Sequence, residues 1–183
     1  EKIKNSKKPI IISGGGVFYS DAMDELGNFA IKHNIPVTQT VMGYSTMKKD
    51  HSHFVGPIGG LGGKAANNLA KETDLAICIG TKLADFTTGS WANFENPEFK
   101  LVSINIARHD ANKHLAEAVI GDAKVTLTEL SNAIGDWKSS DSWHKKSQVE
   151  LKSWNEYVDK ESGPTNQELP SYAHAVGAIY RNS

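Results

Sequence analysis

The sequence predicts a three-layer α/β domain: a parallel sheet of five or six strands with helices on both faces, followed by a C-terminal linker helix. Three observations carry this. Short apolar runs without polar alternation read as strands buried on both faces, which is the habit of parallel sheets. Segments with apolar residues three or four apart alternate with those runs, and strand–helix alternation gives a parallel sheet. Glycines stand directly after strands, where the chain has to turn sharply into a helix.

Taken in order, Pro9-Ile10-Ile11-Ile12-Ser13 is the first strand and Gly14-Gly15-Gly16 the turn after it. A helix follows, with Ser20 as its expected N-cap, Asp21 and Asp24 near its positive end, and an apolar stripe of Ala22, Leu26, Phe29 and Ala30. Asn34 ends it, and residues 35–40 form a second strand. Residues 42–63, rich in Gly, His and Met, read as a loop, and Lys64–Glu72 as a helix with Ala65, Leu69 and Ala70 inward. Residues 74–79 are a third strand ended by Gly80-Thr81, residues 100–106 a fourth, and residues 118–120 a short fifth closed by Gly121-Asp122. A helix over residues 124–134 follows, with Val125, Leu127, Leu130 and Ile134 apolar. Residues 138–168 turn polar and read as an exposed amphipathic helix plus the linker Ser162-Gly163-Pro164-Thr165-Asn166. Trp143, Trp154 and Tyr157 are spaced along it, the tryptophans placed to grip the domain surface or a neighbouring domain. The division is therefore 1–135, a Rossmann-like domain; 136–168, linker and helix; and 169–183, a segment read as helix with little to pack against. The absence of an initiator Met and this bare last segment read as cuts in a longer chain.

Composition narrows the functional classes. With 20 basic against 21 acidic residues, the net charge of -1 offers a polyanion no attractive field, so nucleic acid is not an expected partner. The single cysteine, Cys78, allows no intrachain disulfide, and its apolar surroundings predict an inert thiol. No apolar stretch approaches the roughly 20 residues needed to span a bilayer, and no secretory signal is visible, so the expectation is a cytoplasmic protein without membrane contact.

Several constellations are candidates for chemistry. Gly14, Gly15 and Gly16 could bring backbone N–H groups to a phosphate or nucleotide, or could merely make a tight turn; Tyr19 stands where G-x-G-x-x-G requires its third glycine. The stretch containing Gly59, Gly60, Gly62 and Gly63 could admit a ligand or let two domains approach; it lacks the P-loop ending, since Lys64 is followed by Ala65. His51 and His53 alternate like metal ligands but have no third partner in sequence, and a solvated loop is the plainer reading. His109, Asp110 and His114 have no nucleophile to serve, because no G-x-S-x-G elbow exists.

The order of strand, Gly14-Gly15-Gly16, helix, Gly-rich loop, the segment Asp74-Leu75-Ala76-Ile77-Cys78-Ile79-Gly80-Thr81-Lys82-Leu83, a strand ending near Asn105, and Val119-Ile120-Gly121-Asp122-Ala123 resembles the central domain of thiamine-diphosphate enzymes, the acetolactate synthase superfamily. The resemblance covers about residues 1–135. Asp85-Phe86-Thr87-Thr88-Gly89-Ser90-Trp91 and residues 103–114 look most like the inositol-catabolism branch, whose members open a cyclic 1,2-diketone by hydrolytic C–C cleavage. The resemblance implies thiamine diphosphate and Mg2+ in the intact enzyme. It also implies that the catalytic Glu and the Gly-Asp-Gly…Asn metal motif lie outside this chain, so that no catalytic or metal-binding residue is expected in it. Other domains of the same polypeptide and a small-molecule substrate become the partners, and the parent a homo-oligomer. Gly80, Thr81, Asn105, Gly121 and Asp122 join the glycines as nucleotide-edge or interdomain candidates, and Lys82, Asp85 and Phe86 as substrate-channel candidates. FAD is not expected: flavin-binding relatives carry a pattern like Gly-Ala-Arg-Phe-Asp-Asp-Arg, and here the last Arg is replaced by Phe86, while Asn105 and Ala107 stand where acids are favoured. An acetolactate-forming parent and a free nucleotide-binding regulatory module are the alternatives.

Overall fold

The computed structural model describes residues 1–182; Ser183, the end of the segment 169–183, lies outside them. After a one-turn helix α1 (Lys2–Asn5), strand β1 (Pro9–Ser13) leads through two helices, α2 (Gly15–Tyr19) and α3 (Met23–His33), to β2 (Val37–Gln39). Next come β3 (Phe54–Pro57), α4 (Lys64–Glu72), β4 (Leu75–Ile79), α5 (Asp85–Thr88), β5 (Lys100–Asn105), α6 (Arg108–Ala111), β6 (Glu117–Ile120) and α7 (Ala123–Ile134). Two further helices, α8 (Asp141–Ser162) and α9 (Tyr172–Asn182), complete the described chain. The strands form one sheet in the order β3-β2-β1-β4-β5-β6, and every pairing is parallel. This is the doubly wound, Rossmann-like order, and its switch point lies between β1 and β4, where successive connections leave in opposite directions.

Why β1 and β4 stand at the centre follows from their side chains. All five residues of each are buried, so both faces must be covered. Ile11, Ile77, Ile79 and Ile104 pack on one face with Leu26, Phe29 and Ala30 of α3 and Leu127 of α7. Ile10, Ile12, Ala76 and Cys78 pack on the other with Ala66, Leu69 and Ala70 of α4 and with Trp143 of α8. Each fully buried Ile or Leu contributes about 2 kcal/mol of apolar transfer.

Five expectations need correction. The loop 42–63 contains the strand β3, which Phe54 and Val55 alone could not announce; it is an edge strand ending in Pro57, the place where a sheet tolerates proline. Ser20 does not cap a long helix but ends α2, and Asp21 takes φ 50° before α3 begins. Val125 is exposed on α7, while Leu127 and Ile134 are buried, because the helix turns a narrower face to the sheet than its composition suggests. Helix α8 is only partly exposed. Trp143 is 3% exposed and donates its indole N–H to the Pro9 carbonyl at 2.8 Å, so the helix closes one face of the core. Lys146 and Lys8 both pair with Glu72 at the end of α4 and fix α8 further. Helix α9 does find a partner: its Gly177 lies against Ser162, whose carbonyl accepts from Arg181 at 2.7 Å. Among the described residues no helix is long and apolar enough to cross a membrane.

Candidate functional site

In open α/β sheets, ligands bind outside the carboxyl ends of the strands at the switch point. A cleft of about 610 Å³ occupies that place here. Its floor is the carboxyl end of the sheet: Gly15 and Gly16 after β1, Thr40 to Met42 after β2, Gly80 to Lys82 after β4, Ile104 to Ile106 at the end of β5, and Gly121 and Asp122 after β6.

The glycines exist for backbone contact. An ideal Cβ on Gly16 would lie 2.6 Å from the Gly80 Cα, and one on Gly80 would lie 2.5 Å from the Gly16 Cα; Gly80 also takes φ +60°. The turns after β1 and β4 therefore touch main chain to main chain. They are stitched by Gly14 N–H to Ile79 O at 2.8 Å and Gly16 N–H to Gly80 O at 2.9 Å. Two of the three glycine N–H groups that a dinucleotide site would aim at a pyrophosphate are thus already donated to the protein. The helix behind them, α2, is only five residues long.

The polar groups of the cleft are likewise largely engaged. Asn105 donates to the Thr81 carbonyl at 3.2 Å and accepts from Ala107 N–H at 2.9 Å, which holds the chain at the β5 exit. Asp122 caps α7, accepting from Lys124 and Val125 N–H at 2.9 and 3.2 Å; together with a bond from Ser20, these donors hold its carboxyl below the usual carboxylate range. Asp110 is lowered chiefly by Lys113, whose ammonium lies 2.6 Å away, with smaller help from His109 and Lys82. Lys82 lines the same cleft and forms no ion pair closer than 4 Å among the described residues, its charge acting on Asp110 only from a distance. Around the mouth stand Tyr19, Met42, Phe86 and Ile106, between 71% and 82% exposed. Such a concentration of bare apolar side chains is the mark of an interaction or ligand surface.

Of the residues singled out in sequence, the structure brings together Gly15, Gly16, Gly80, Thr81, Lys82, Phe86, Asn105, Gly121 and Asp122 in this cleft, with Gly14 just behind. Gly59, Gly60, Gly62 and Gly63 are not part of it. Gly59, at φ +100°, packs its Cα against the Phe86 carbonyl; Gly60 donates N–H to that carbonyl at 2.7 Å; and Gly63 abuts the Trp154 indole. Asp85 opens α5 and is exposed outside the cleft lining. Sequence reasoning missed Tyr19, Val41, Met42, Ile106 and Asp110 as lining residues; what they share is a place in the connections that leave the carboxyl ends of β1, β2 and β5.

The histidine readings change as well. His53 is 6% exposed and stacks on His144, so the solvated-loop reading is corrected: β3 draws this segment under α8. His114 rests edge-on against Trp91 at 4.4 Å. Burial pushes the Cys78 thiol up, which keeps it protonated and inert. Among the described residues no three His, Cys, Asp or Glu side chains converge closely enough to share a metal ion.

Comparison with known proteins accords with this geometry. Residues 1–130 match the family described as thiamine pyrophosphate enzyme, central domain. A 3D-(3,5/4)-trihydroxycyclohexane-1,2-dione hydrolase of Clostridium perfringens is 42% identical over 158 residues, covering 86% of this chain and 25% of its own length. A protein of the same name, numbered 2, from Bacillus cereus is 47% identical over 134 residues, 73% of this chain and 21% of its own. Another from Bacillus anthracis is 38% identical over 195 residues, 97% of this chain and 30% of its own. The chain spans about a quarter of the length of these relatives. On the family match over residues 1–130, with the parallel sheet and switch-point cleft that accompany it, this chain belongs to the thiamine pyrophosphate enzymes through their central domain.

Proposed function

We propose that this chain is the non-catalytic central domain of a hydrolase dependent on thiamine diphosphate and Mg2+, one that opens 3D-(3,5/4)-trihydroxycyclohexane-1,2-dione to 5-deoxy-glucuronate by cleaving a C–C bond with water. The observation that carries this reading is the 42% identity over 86% of the chain with a relative bearing that hydrolase's name. The chain's own donors do not suit the cofactor's diphosphate or its metal. Two of the three glycine N–H groups after β1 are engaged, α2 is short, and the carboxylates of the cleft are already capping a helix or paired with lysine. In this reading other domains of the parent polypeptide hold the cofactor, and this domain joins them.

The same features support a domain that binds no FAD. A flavin's diphosphate needs free N–H donors or arginines, and the position where flavin-binding relatives carry Arg is the apolar Phe86. The apolar rim of Tyr19, Met42, Phe86 and Ile106 suits contact with neighbouring domains. Lys82, Asp85 and Phe86 then reach toward the substrate channel, with Lys82 able to hydrogen-bond a polyhydroxy ring. Residues 1–135 are the domain, 136–168 the linking segment and 169–183 the entry to the next domain of a cytoplasmic homo-oligomer. The test supplies the cyclic diketone and pyruvate separately to the full-length parent with thiamine diphosphate, with and without Mg2+. Ring opening that needs both cofactors is the expected result; acetolactate formation without ring opening overturns the assignment.

A further inference from the structure

A second group of titratable side chains lies far from the cleft, where the first turns of α8 meet the segment before β3. The rings of His53 and His144 stack with centroids 4.1 Å apart and planes 18° apart, and His51 stands 5.9 Å from His53. The hydrogen bonds fix what these rings can carry. Asn34, just past α3, donates its side-chain N–H groups to the Ser139 carbonyl at 3.2 Å and to the Asp141 carboxylate at 3.1 Å, so its Oδ1 has to accept. His53 Nε2, 3.1 Å away, is therefore a donor, and its Nδ1 accepts from the Ser52 hydroxyl at 3.0 Å. His144 Nε2 in turn donates to the Ser52 carbonyl at 3.1 Å, beside Gln148, which donates to the same oxygen at 2.7 Å. In the neutral form both nitrogens of His53 and Nε2 of His144 are satisfied. With both rings charged, two cations would be pressed face to face.

We propose that the stacked His53–His144 pair, with His51 beside it, is an acid-sensitive latch: it holds α8 on the Rossmann core while the rings are neutral and releases the helix when they are protonated. The groups that face the pair are few. Asp50 and His51 share its loop with Lys48 and Lys49; Lys32 and His33 end α3; Asp141 and Lys145 flank His144 on α8. Asp50 acts on His51, Asp141 is engaged by Asn34, and Lys32 is bonded to Ser131. No carboxylate is bonded to either stacked ring among the described residues to offset a second positive charge.

Burial, then the proximity of His144 and His51, lowers the pKa of His53 to about 4, and burial lowers His51 in the same direction. A released imidazole titrates near its ordinary value of about 6.5. The docked form thus binds fewer protons than the released one. Docking is at full strength above about pH 6.5 and is lost as the pH falls toward 4, by up to tenfold per pH unit for each imidazole involved.

The test is amide hydrogen exchange of the whole chain at pH 7 and pH 5, corrected for intrinsic rates, with Trp143 fluorescence as a second report on α8. Protection within α8 should fall at least tenfold at pH 5 while β1 and β4 stay protected, and Trp143 should become more solvent-quenched. His53→Phe keeps a stacked ring at the more deeply buried position without its charge and should retain most of the α8 protection at pH 5. Equal pH dependence in this variant, or simultaneous loss of protection in β1 and β4, overturns the latch. In the wild-type chain an NMR titration provides a check independent of any variant: His53 titrating near 6.5 while α8 remains docked would also overturn it.

Discussion

The glycines at 14–16 and those at 59–63 look alike in sequence, each cluster standing before a helix, yet the fold uses them differently. The first cluster lets the turns after β1 and β4 touch at the switch point, and what remains beyond that contact is an open cleft. The second is filled. Gly59 and Gly60 press on the Phe86 carbonyl, Gly62 folds back on Ile58, and Gly63 receives Trp154 from α8. Glycine richness reports that backbone comes close to something; both loops leave the carboxyl end of the sheet, and what separates them is that one follows the central strand β1 at the switch point and the other the edge strand β3.

Substitutions can break that comparison. The largest effect is expected at Gly59, where a methyl would combine a positive φ with collision against the Phe86 carbonyl. Gly59→Ala should cost about 4 kcal/mol, from backbone strain plus overpacking, and lower the melting temperature by about 12 °C. Gly56→Ala is its control: φ is +91°, but nothing lies within 4 Å of the added carbon, so only the strain of about 1 kcal/mol should appear in thermal unfolding. Equal losses at the two sites would show that packing of the second cluster is not what its glycines serve.

At the switch point the expected loss is smaller. Gly16→Ala has ordinary φ but meets the Gly80 backbone, and should cost about 2 kcal/mol by chemical denaturation while wedging the two turns apart. An unchanged midpoint would mean that the turns slide freely over each other. Asp122→Ala removes the cap of α7 and should cost about 1 kcal/mol. Because the Asp122 carboxyl titrates below its ordinary value, its contribution is present above the usual Asp pKa of about 3.9 and is lost as the pH falls below it. Urea titrations at pH 7 and pH 3 should therefore show a smaller gap between wild type and variant at the lower pH.

The smallest stability effect is expected at Phe86, whose side chain is 71% exposed and whose structural role runs through its carbonyl. Phe86→Ala should change stability by under about 0.5 kcal/mol. In the intact parent it should nonetheless raise KM or lower kcat, and more so than Asp85→Ala, since Phe86 lines the cleft and Asp85 does not. A large loss of stability with normal kinetics would place Phe86 with the second cluster, as packing alone.

Much of this molecule was legible in its sequence because buried parallel strands leave an unmistakable trace. Pro9–Ser13, Leu75–Ile79 and Lys100–Asn105 are apolar runs that no amphipathic surface strand would carry, and Lys64–Glu72 shows its inner face in Ala65, Leu69 and Ala70. The turn glycines after the strands followed from local backbone needs, which depend only on neighbouring residues. Tertiary structure alone decided the rest. Strand β3 has no run of its own and exists because β2 offers it an edge. Met42, Ile106 and Asp110 become cleft residues because two strands distant in sequence, β2 and β5, end on the same side of the sheet, a coincidence of topology rather than of spacing. Trp143 is expected from the sequence to grip the domain surface or a neighbouring domain, and the fold places it on the domain itself, with His144 beside it. They are held down because the outer face of β1 and the segment before β3 need a cover, and long-range packing of that kind leaves no periodic signal in the chain that supplies it.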